Sequence, residues 1–265
     1  MINKKIAIIG AGNLGYSMAK GLKNTDITDS RNILLSDISV ERRERAAHEG
    51  FKTADNNKEA VSQSQLIILA VKPYHVTEVI EEIKGSLDAN THVLISCAPG
   101  IDSNHIYGTL EKTMPLFRVM PNTAMGVNET AACITAFNAA DEIQNEIKEL
   151  FSALGRVYEI NEELMHAATA IGGCGTAFVL RFMRALSEGA IEMGFSPELA
   201  LQIVAQTVKG AAAIIQQNGT HPEEEIDKVT TPAGITITGL NEMEHQGFSS
   251  AVIAGIMESF EKLNG

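Results

Sequence analysis

The chain has 265 residues, 45% of them hydrophobic and 20% charged, with a formal net charge of −12. That composition belongs to a globular protein with one large core or two modest ones, and the acidic balance excludes nucleic acid or an anionic membrane surface as partner, since both demand a basic face. Three cysteines without a CxxC pair supply neither a disulfide framework nor a zinc site, and they suit a reducing, cytoplasmic compartment.

In chain order, the apolar run of "MINKKIAIIGAG" leads into a glycine-rich turn rather than a signal-peptide cleavage site. "KIAIIG", "NILLSD", "QLIILAV", "HVLISCAP" and "LFRVMPN" then read as strands, apolar nearly throughout, as in a sheet covered on both faces. Helical patterns lie between them. In "NLGYSMAKGLKN", Leu14, Met18 and Leu22 share a face, and "YHVTEVIEEIKGSL" repeats the habit. This alternation predicts a parallel, doubly wound sheet. "TAACITAF" and "GRVYEI" read as further strands around a helix at 141–154.

Beyond Glu162 the strand patterns stop, which divides the chain into domains at 1–161 and 162–265. "EELMHAATAIGGCGTAFVLRFMRALSEGAIEMG" is a long helical pattern loosened by glycines. The next helix has Ser196 as N-cap and Pro197 in its first turn, and ends at Gly219. Thr220 and Glu223 fit a capping box, and "FSSAVIAGIMESFEKL" closes the chain as a helix. These helices are too apolar for solvent, so dimerisation through them is expected. No run of about 18 apolar residues stands out, so no membrane span is expected.

"IAIIGAGNLG" places Gly10, Gly12 and Gly15 as a GxGxxG directly after the first strand and at the head of a helix. In that position the pattern predicts a dinucleotide site. Gly10 permits the tight turn, Gly12 lets backbone approach a pyrophosphate, and Gly15 lets helix pack on strand. The second strand ends at Ser36 and Asp37. An acid there bonds ribose hydroxyls and favours NADH, whereas Ser36, Ser39, Arg42 and Arg43 leave room for the extra phosphate of NADPH. "AVKP" (70–73), "SCAPG" (96–100) and "MPNT" (120–123) break later strands at the sheet edge where such ligands bind. The seven histidines show no HxxxH or HExxH spacing, so no metal is expected.

These segments, with "DNNKEAV" and "HPEEEIDKVTTPAGITITGLNEMEHQGF", together resemble the pyrroline-5-carboxylate reductase family nearly end to end. The resemblance implies an α/β Rossmann-type domain followed by an all-α helical dimerisation domain, with the active site shared between one subunit's nucleotide edge and its partner's helical domain. It implies NAD(P)H-dependent reduction of a cyclic imino acid to L-proline by a homodimer, often stacked into a ring. By position, Gly12, Asn13, Leu14, Ser36, Asn57, Ala70, Val71, Lys72, Pro73, Met120, Pro121 and Asn122 would line the dinucleotide. The backbone of Gly234, Ile235 and Thr236, with the hydroxyls of Thr231 and Thr236, would hold the substrate carboxylate and ring, and Thr236 would hydrogen-bond the imine nitrogen.

The chain departs from the family pattern in two places. "GGCGTAF" (172–178) stands where two serines, a proline and a tyrosine are expected, and Ala233 stands where a glycine is expected. Two other readings share the layout. A β-hydroxyacid dehydrogenase places an acid/base Lys at the position of Val179, which cannot move a proton. A non-catalytic dinucleotide-binding regulator would have no use for a second anion cradle at residues 231–236.

Overall fold

A computed structural model describes residues 1–264. In its first part, strands β1 (Ile6–Ile9), β2 (Ile33–Ser36), β3 (Lys52–Ala54), β4 (Leu66–Leu69), β5 (Val93–Ser96), β6 (Leu116–Met120), β7 (Thr130–Phe137) and β8 (Gly155–Glu159) form one sheet. Helices α1 (Asn13–Lys23), α2 (Val40–His48), α3 (Asn57–Ser62), α4 (Val76–Ile83), α5 (Ser103–Leu110) and α6 (Asp141–Ser152) connect them. The strand order is β3-β2-β1-β4-β5-β6-β7-β8.

Because the pleat alternates, each buried strand feeds both faces of the sheet. Ile6, Ile8, Leu66, Ile68 and Ile95 belong to one core, and Ala7, Ile9, Ile67, Leu69 and Leu94 to the other. Residues with 0% exposure run through the central strands, which is why the sequence there shows no polar alternation. Met18 and Leu22 of α1 are fully buried, and Leu14 packs against the same core.

Two features differ from expectation. β3 escaped the strand pattern because it has three residues, of which only Ala54 is buried, and it lies at the sheet edge. The sheet is also not parallel throughout. β7 runs antiparallel to β6, and β8 parallel to β7. Residues 121–129 return the chain in a short 3₁₀ turn, too few for a crossover helix, so the next strand must come back beside β6.

The remaining helices are α7 (Met165–Ala168), α8 (Gly175–Glu192), α9 (Pro197–Asn218), α10 (Pro222–Lys228), α11 (Ile235–His245) and α12 (Phe248–Asn264). The glycine-loosened segment is a π-helical stretch at Thr169–Cys174 between α7 and α8. Two compact units result, Met1–Gly173 with the chain from Phe260, and Cys174–Ser259. The segment 162–173 thus clusters with the sheet, although its sequence already has helical grammar.

In the second unit, Ser196 caps α9, with Pro197 following, and Gly219 ends it at φ 66°. The expected Thr220–Glu223 box is absent. His221 is the N-cap, its ring accepting from Glu223 N–H, and the Thr220 hydroxyl bonds Glu225 instead. Pro222 shifts the helix start by one residue and takes the position an N–H would need. α9 is long and apolar enough to cross a membrane by length and composition alone, a match the sequence reading did not make.

Candidate functional site

β1 is flanked by β2 and β4, so the strand order reverses beside it. At this switch point, beyond the carboxyl ends of the strands, the first unit opens a cleft of 730 Å³. That volume suits a small-molecule cofactor. Gly10 turns the chain at φ 101°, and a Cβ there would lie 2.8 Å from the Ala70 carbonyl oxygen. Gly15 sits behind the cleft, where a Cβ would meet the Gly10 carbonyl oxygen at 2.0 Å, so glycine is what lets α1 close on β1.

Gly12 is different. A Cβ there would find only Arg42 Nη1, at 3.9 Å, so protein packing does not demand glycine at this position. It is also the N-cap of α1, with no side-chain cap and no acid in the first turn. Open backbone N–H groups, a missing Cβ and a helix N-terminus together fit a pyrophosphate.

Around this cradle, Asn13 and Leu14 of α1, Ser36 at the end of β2 and Asp37 just after it, Asn57 of α3, and Ala70, Val71, Lys72 and Pro73 after β4 line the cleft, as do Gly10 and Gly12. Cys97 and Pro99 join them from the "SCAPG" segment. Burial pushes the Cys97 thiol up to about 12, so it lines the wall as a neutral apolar group.

Three residues expected along the dinucleotide lie off that wall. Met120 and Pro121 are buried. Asn122 turns inward to accept from Ala124 N–H at 3.0 Å and donate to the Gly172 carbonyl at 2.9 Å. Thr123 takes the lining position instead. Sequence reading also missed Ile38, Tyr74, Glu78 and Glu82. For Glu78 and Glu82 the only signal is helical position, one turn apart on α4, a spacing that solvated faces also show.

The second unit carries the Thr231–Thr236 loop. Gly234 N–H donates to the Thr231 carbonyl at 2.9 Å, closing a turn with Pro232 second and Ala233 third at φ 56°. Such a turn favours glycine in third place, so Ala233 carries local strain there. A Cβ on Gly234 would approach Thr231 Oγ1 to 2.5 Å, which explains this glycine without any unusual φ. Gly234 is the N-cap of α11, again with no side-chain cap and no acid in the first turn. Thr231 and Thr236 are exposed, and Ile235 is 92% exposed.

Phe178, the last residue of "GGCGTAF", lies in an apolar groove with Phe182, Leu186, Phe248 and Val252. The Phe182 and Phe248 rings meet at 5.8 Å, tilted by 48°.

Residues 162–264 match the family described as pyrroline-5-carboxylate reductase dimerisation, and residues 5–100 match NADP oxidoreductase, coenzyme F420-dependent. Pyrroline-5-carboxylate reductase 2 of Dictyostelium discoideum is 40% identical, with 98% of this chain and 92% of that protein covered. Pyrroline-5-carboxylate reductase 1 of the same organism is 39% identical over 97% of this chain, which spans only 49% of that longer protein. Among solved structures, Plasmodium falciparum pyrroline carboxylate reductase with NADP bound superposes with a TM-score of 0.90 at 27% identity, covering 99% of this chain and 98% of that one. The chain belongs to the pyrroline-5-carboxylate reductase family.

Proposed function

We propose that this member of the family reduces the C=N bond of Δ1-pyrroline-5-carboxylate with NAD(P)H, giving L-proline in the last step of proline biosynthesis. The observation that carries the substrate assignment is the head of α11, an uncapped helix N-terminus next to a turn built without charge and flanked by the exposed Thr231 and Thr236. Free N–H groups on Ile235 and Thr236 suit a small carboxylate without a lysine or arginine beside it.

The reduced nicotinamide, when bound, supplies the hydride that reaches the imine carbon. The chain's own residues hold and orient. N–H groups at the head of α1 take the pyrophosphate, and the walls from Ala70 to Pro73 and from Cys97 to Pro99 flank the rest of the dinucleotide. A cyclic imine is basic enough to arrive protonated, so the ring nitrogen needs a hydrogen-bond partner rather than a strong acid, and Thr236 is that partner. Val179, 47% exposed on α8, occupies the position where a hydroxyacid dehydrogenase needs its lysine, which favours an imine over an alcohol.

The protein works as a homodimer. We assign its interface to the apolar surface of α8, α9 and α12, and place the start of the dimerisation domain at residue 162. On this assignment the apolar length of α9 serves the partner subunit rather than a lipid bilayer, consistent with a cytoplasmic enzyme whose dimers can stack further into a ring.

The test is oxidation of NADH and of NADPH, followed at the nicotinamide absorbance with pyrroline-5-carboxylate present. Turnover is expected, and its absence alongside intact dinucleotide binding would overturn the reading. In Thr236→Val, loss of the hydrogen bond to the ring should raise the imine KM or lower kcat by roughly tenfold, with dinucleotide affinity unaltered. Unchanged kinetics would remove Thr236 from the site.

A further inference from the structure

The end of the cleft formed by β2, α2 and α3 is chemically one-sided. The Ser36 hydroxyl donates to Asn57 Oδ1 at 2.8 Å, and Asn57 Nδ2 donates to Glu82 Oε2 at 2.7 Å. The Ser36 proton and one of the two Asn57 amide protons are thereby committed inside the protein. Asp37 follows, with its side chain 6% exposed. Its Oδ1 accepts from Ser39 N–H at 2.8 Å, and its Oδ2 accepts from Ala11 N–H at 2.8 Å.

Each nearby arginine already spends a donor inside the protein. Arg42 Nη1 lies 3.3 Å from Asp37 Oδ2. Arg43 donates to the Asp37 carbonyl at 2.6 Å. Arg45 stacks 3.9 Å over the Tyr16 ring and donates to the Ala11 carbonyl at 3.2 Å. What faces the cleft from Ser36, Asp37 and Glu82 is therefore mostly acceptor, and around the whole cleft the three carboxylates of Asp37, Glu78 and Glu82 stand against the cations of Arg42 and Lys72.

A ribose 2′-hydroxyl is a donor and satisfies such a wall. A 2′-phosphate brings only acceptors and close to two negative charges, and close like charges repel. We propose that this reductase selects NADH over NADPH, with Asp37 as the specificity-determining residue. Glu82, acting through Asn57, is the second carboxylate that excludes the phosphate, and Arg42 serves Asp37 rather than a phosphate. Asp37 has a further duty, because its grip on Ala11 N–H sets the glycine turn. The inference rests on reading the cleft as a dinucleotide site and is independent of the imine assignment.

Calorimetric titration of the full-length protein with NAD⁺ and NADP⁺, without substrate, tests it. NAD⁺ should bind roughly tenfold tighter or better, the scale of a like-charge penalty. Asp37→Asn keeps one acceptor oxygen where Asp37 uses two, for Ala11 N–H and Ser39 N–H, and should narrow the ratio several-fold, mainly by tightening NADP⁺. Because Asp37→Asn also disturbs the glycine turn, Glu82→Gln provides the second arm. It retains an acceptor for Asn57 and should likewise tighten NADP⁺ while NAD⁺ holds. Equal affinity or NADP⁺ preference in the unaltered protein overturns the inference, and so does a selective loss of NADP⁺ in Arg42→Ala, which would make Arg42 a phosphate ligand. Binding of neither dinucleotide overturns both this inference and the cleft's assignment. Selective NAD⁺ binding without imine turnover supports the inference and removes only the imine substrate.

Discussion

The two units differ in where their apolar surface goes. In the first, Ile6, Ile8, Leu35, Ile67, Ile68 and Phe117 are fully buried within the chain itself. In the second, among the described residues from Cys174 to Ser259, only Ser187, Ala200 and Val204 are buried. Leu201 is 54% exposed there, Ile203 45% and Ile253 63%. At about 25 cal/mol per Å² of apolar surface, leaving such side chains in water forfeits the main favourable term of folding. The sheet is thus stabilised by its own sequence, and on the interface proposed above the helices are stabilised by a second copy of theirs. The same proposal assigns the apolar length of α9 to that partner.

The comparison breaks most directly at the exposed apolar faces. Replacing Leu201 and Ile253 together with Asp should abolish the dimer by light scattering and lower the first thermal transition by on the order of 10 °C. The concentration dependence of that transition should vanish with it. A dimer that survives both charges would show that these faces are not the interface.

A smaller and opposite signature is expected in the first unit. Arg118, 3% exposed on β6, pairs with Glu162 Oε1 at 2.8 Å, and the same carboxylate accepts from the Ser103 N–H at 2.7 Å and the Ser103 hydroxyl at 2.6 Å. Glu162→Ala strands a buried guanidinium and should cost about 3–5 kcal/mol in urea unfolding of the sheet. This loss should be the same at every protein concentration. A concentration-dependent loss would tie Glu162 to dimerisation instead.

The smallest effect sharpens the burial argument at one atom. Cys97 has its thiol pushed up to about 12 by burial. The folded value lies above the unfolded one of about 8.5, so this group's stabilisation is complete below that pH and is lost as pH rises toward 12. Ellman's reagent at pH 8 should leave Cys97 unmodified until guanidinium unfolds the sheet. Rapid labelling of native Cys97 would show that this wall of the cleft opens.

Much of this architecture was legible in the sequence because it rests on local rules. Runs such as "IAII" and "LIIL" are buried on both faces, and Ser196, Pro197 and Gly219 bound their helix by capping chemistry that a few adjacent residues decide. The GxGxxG reading is local for the same reason, since a tight turn and a helix N-terminus need only neighbours in the chain. The Thr220 cap failed on an equally local competitor, the ring of His221 before Pro222.

What escaped depends on partners distant in sequence. The direction of β7 is set by pairing with β6, β3 exists through pairing with β2, and Asn122 turns inward to reach Gly172, 50 residues away. The acceptor-rich wall is assembled the same way, with Asp37 reaching back 26 residues to Ala11 and Asn57 forward 25 to Glu82. By itself the sequence determined the strands other than β3, the long helices, the glycine cradle, and a helical half with more apolar surface than one chain can hide, because periodicity, capping and composition act over a few residues. Only the tertiary structure decided which polar groups spend their hydrogen bonds on each other and which still face the cleft, because a donor's availability depends on the neighbours that folding brings to it.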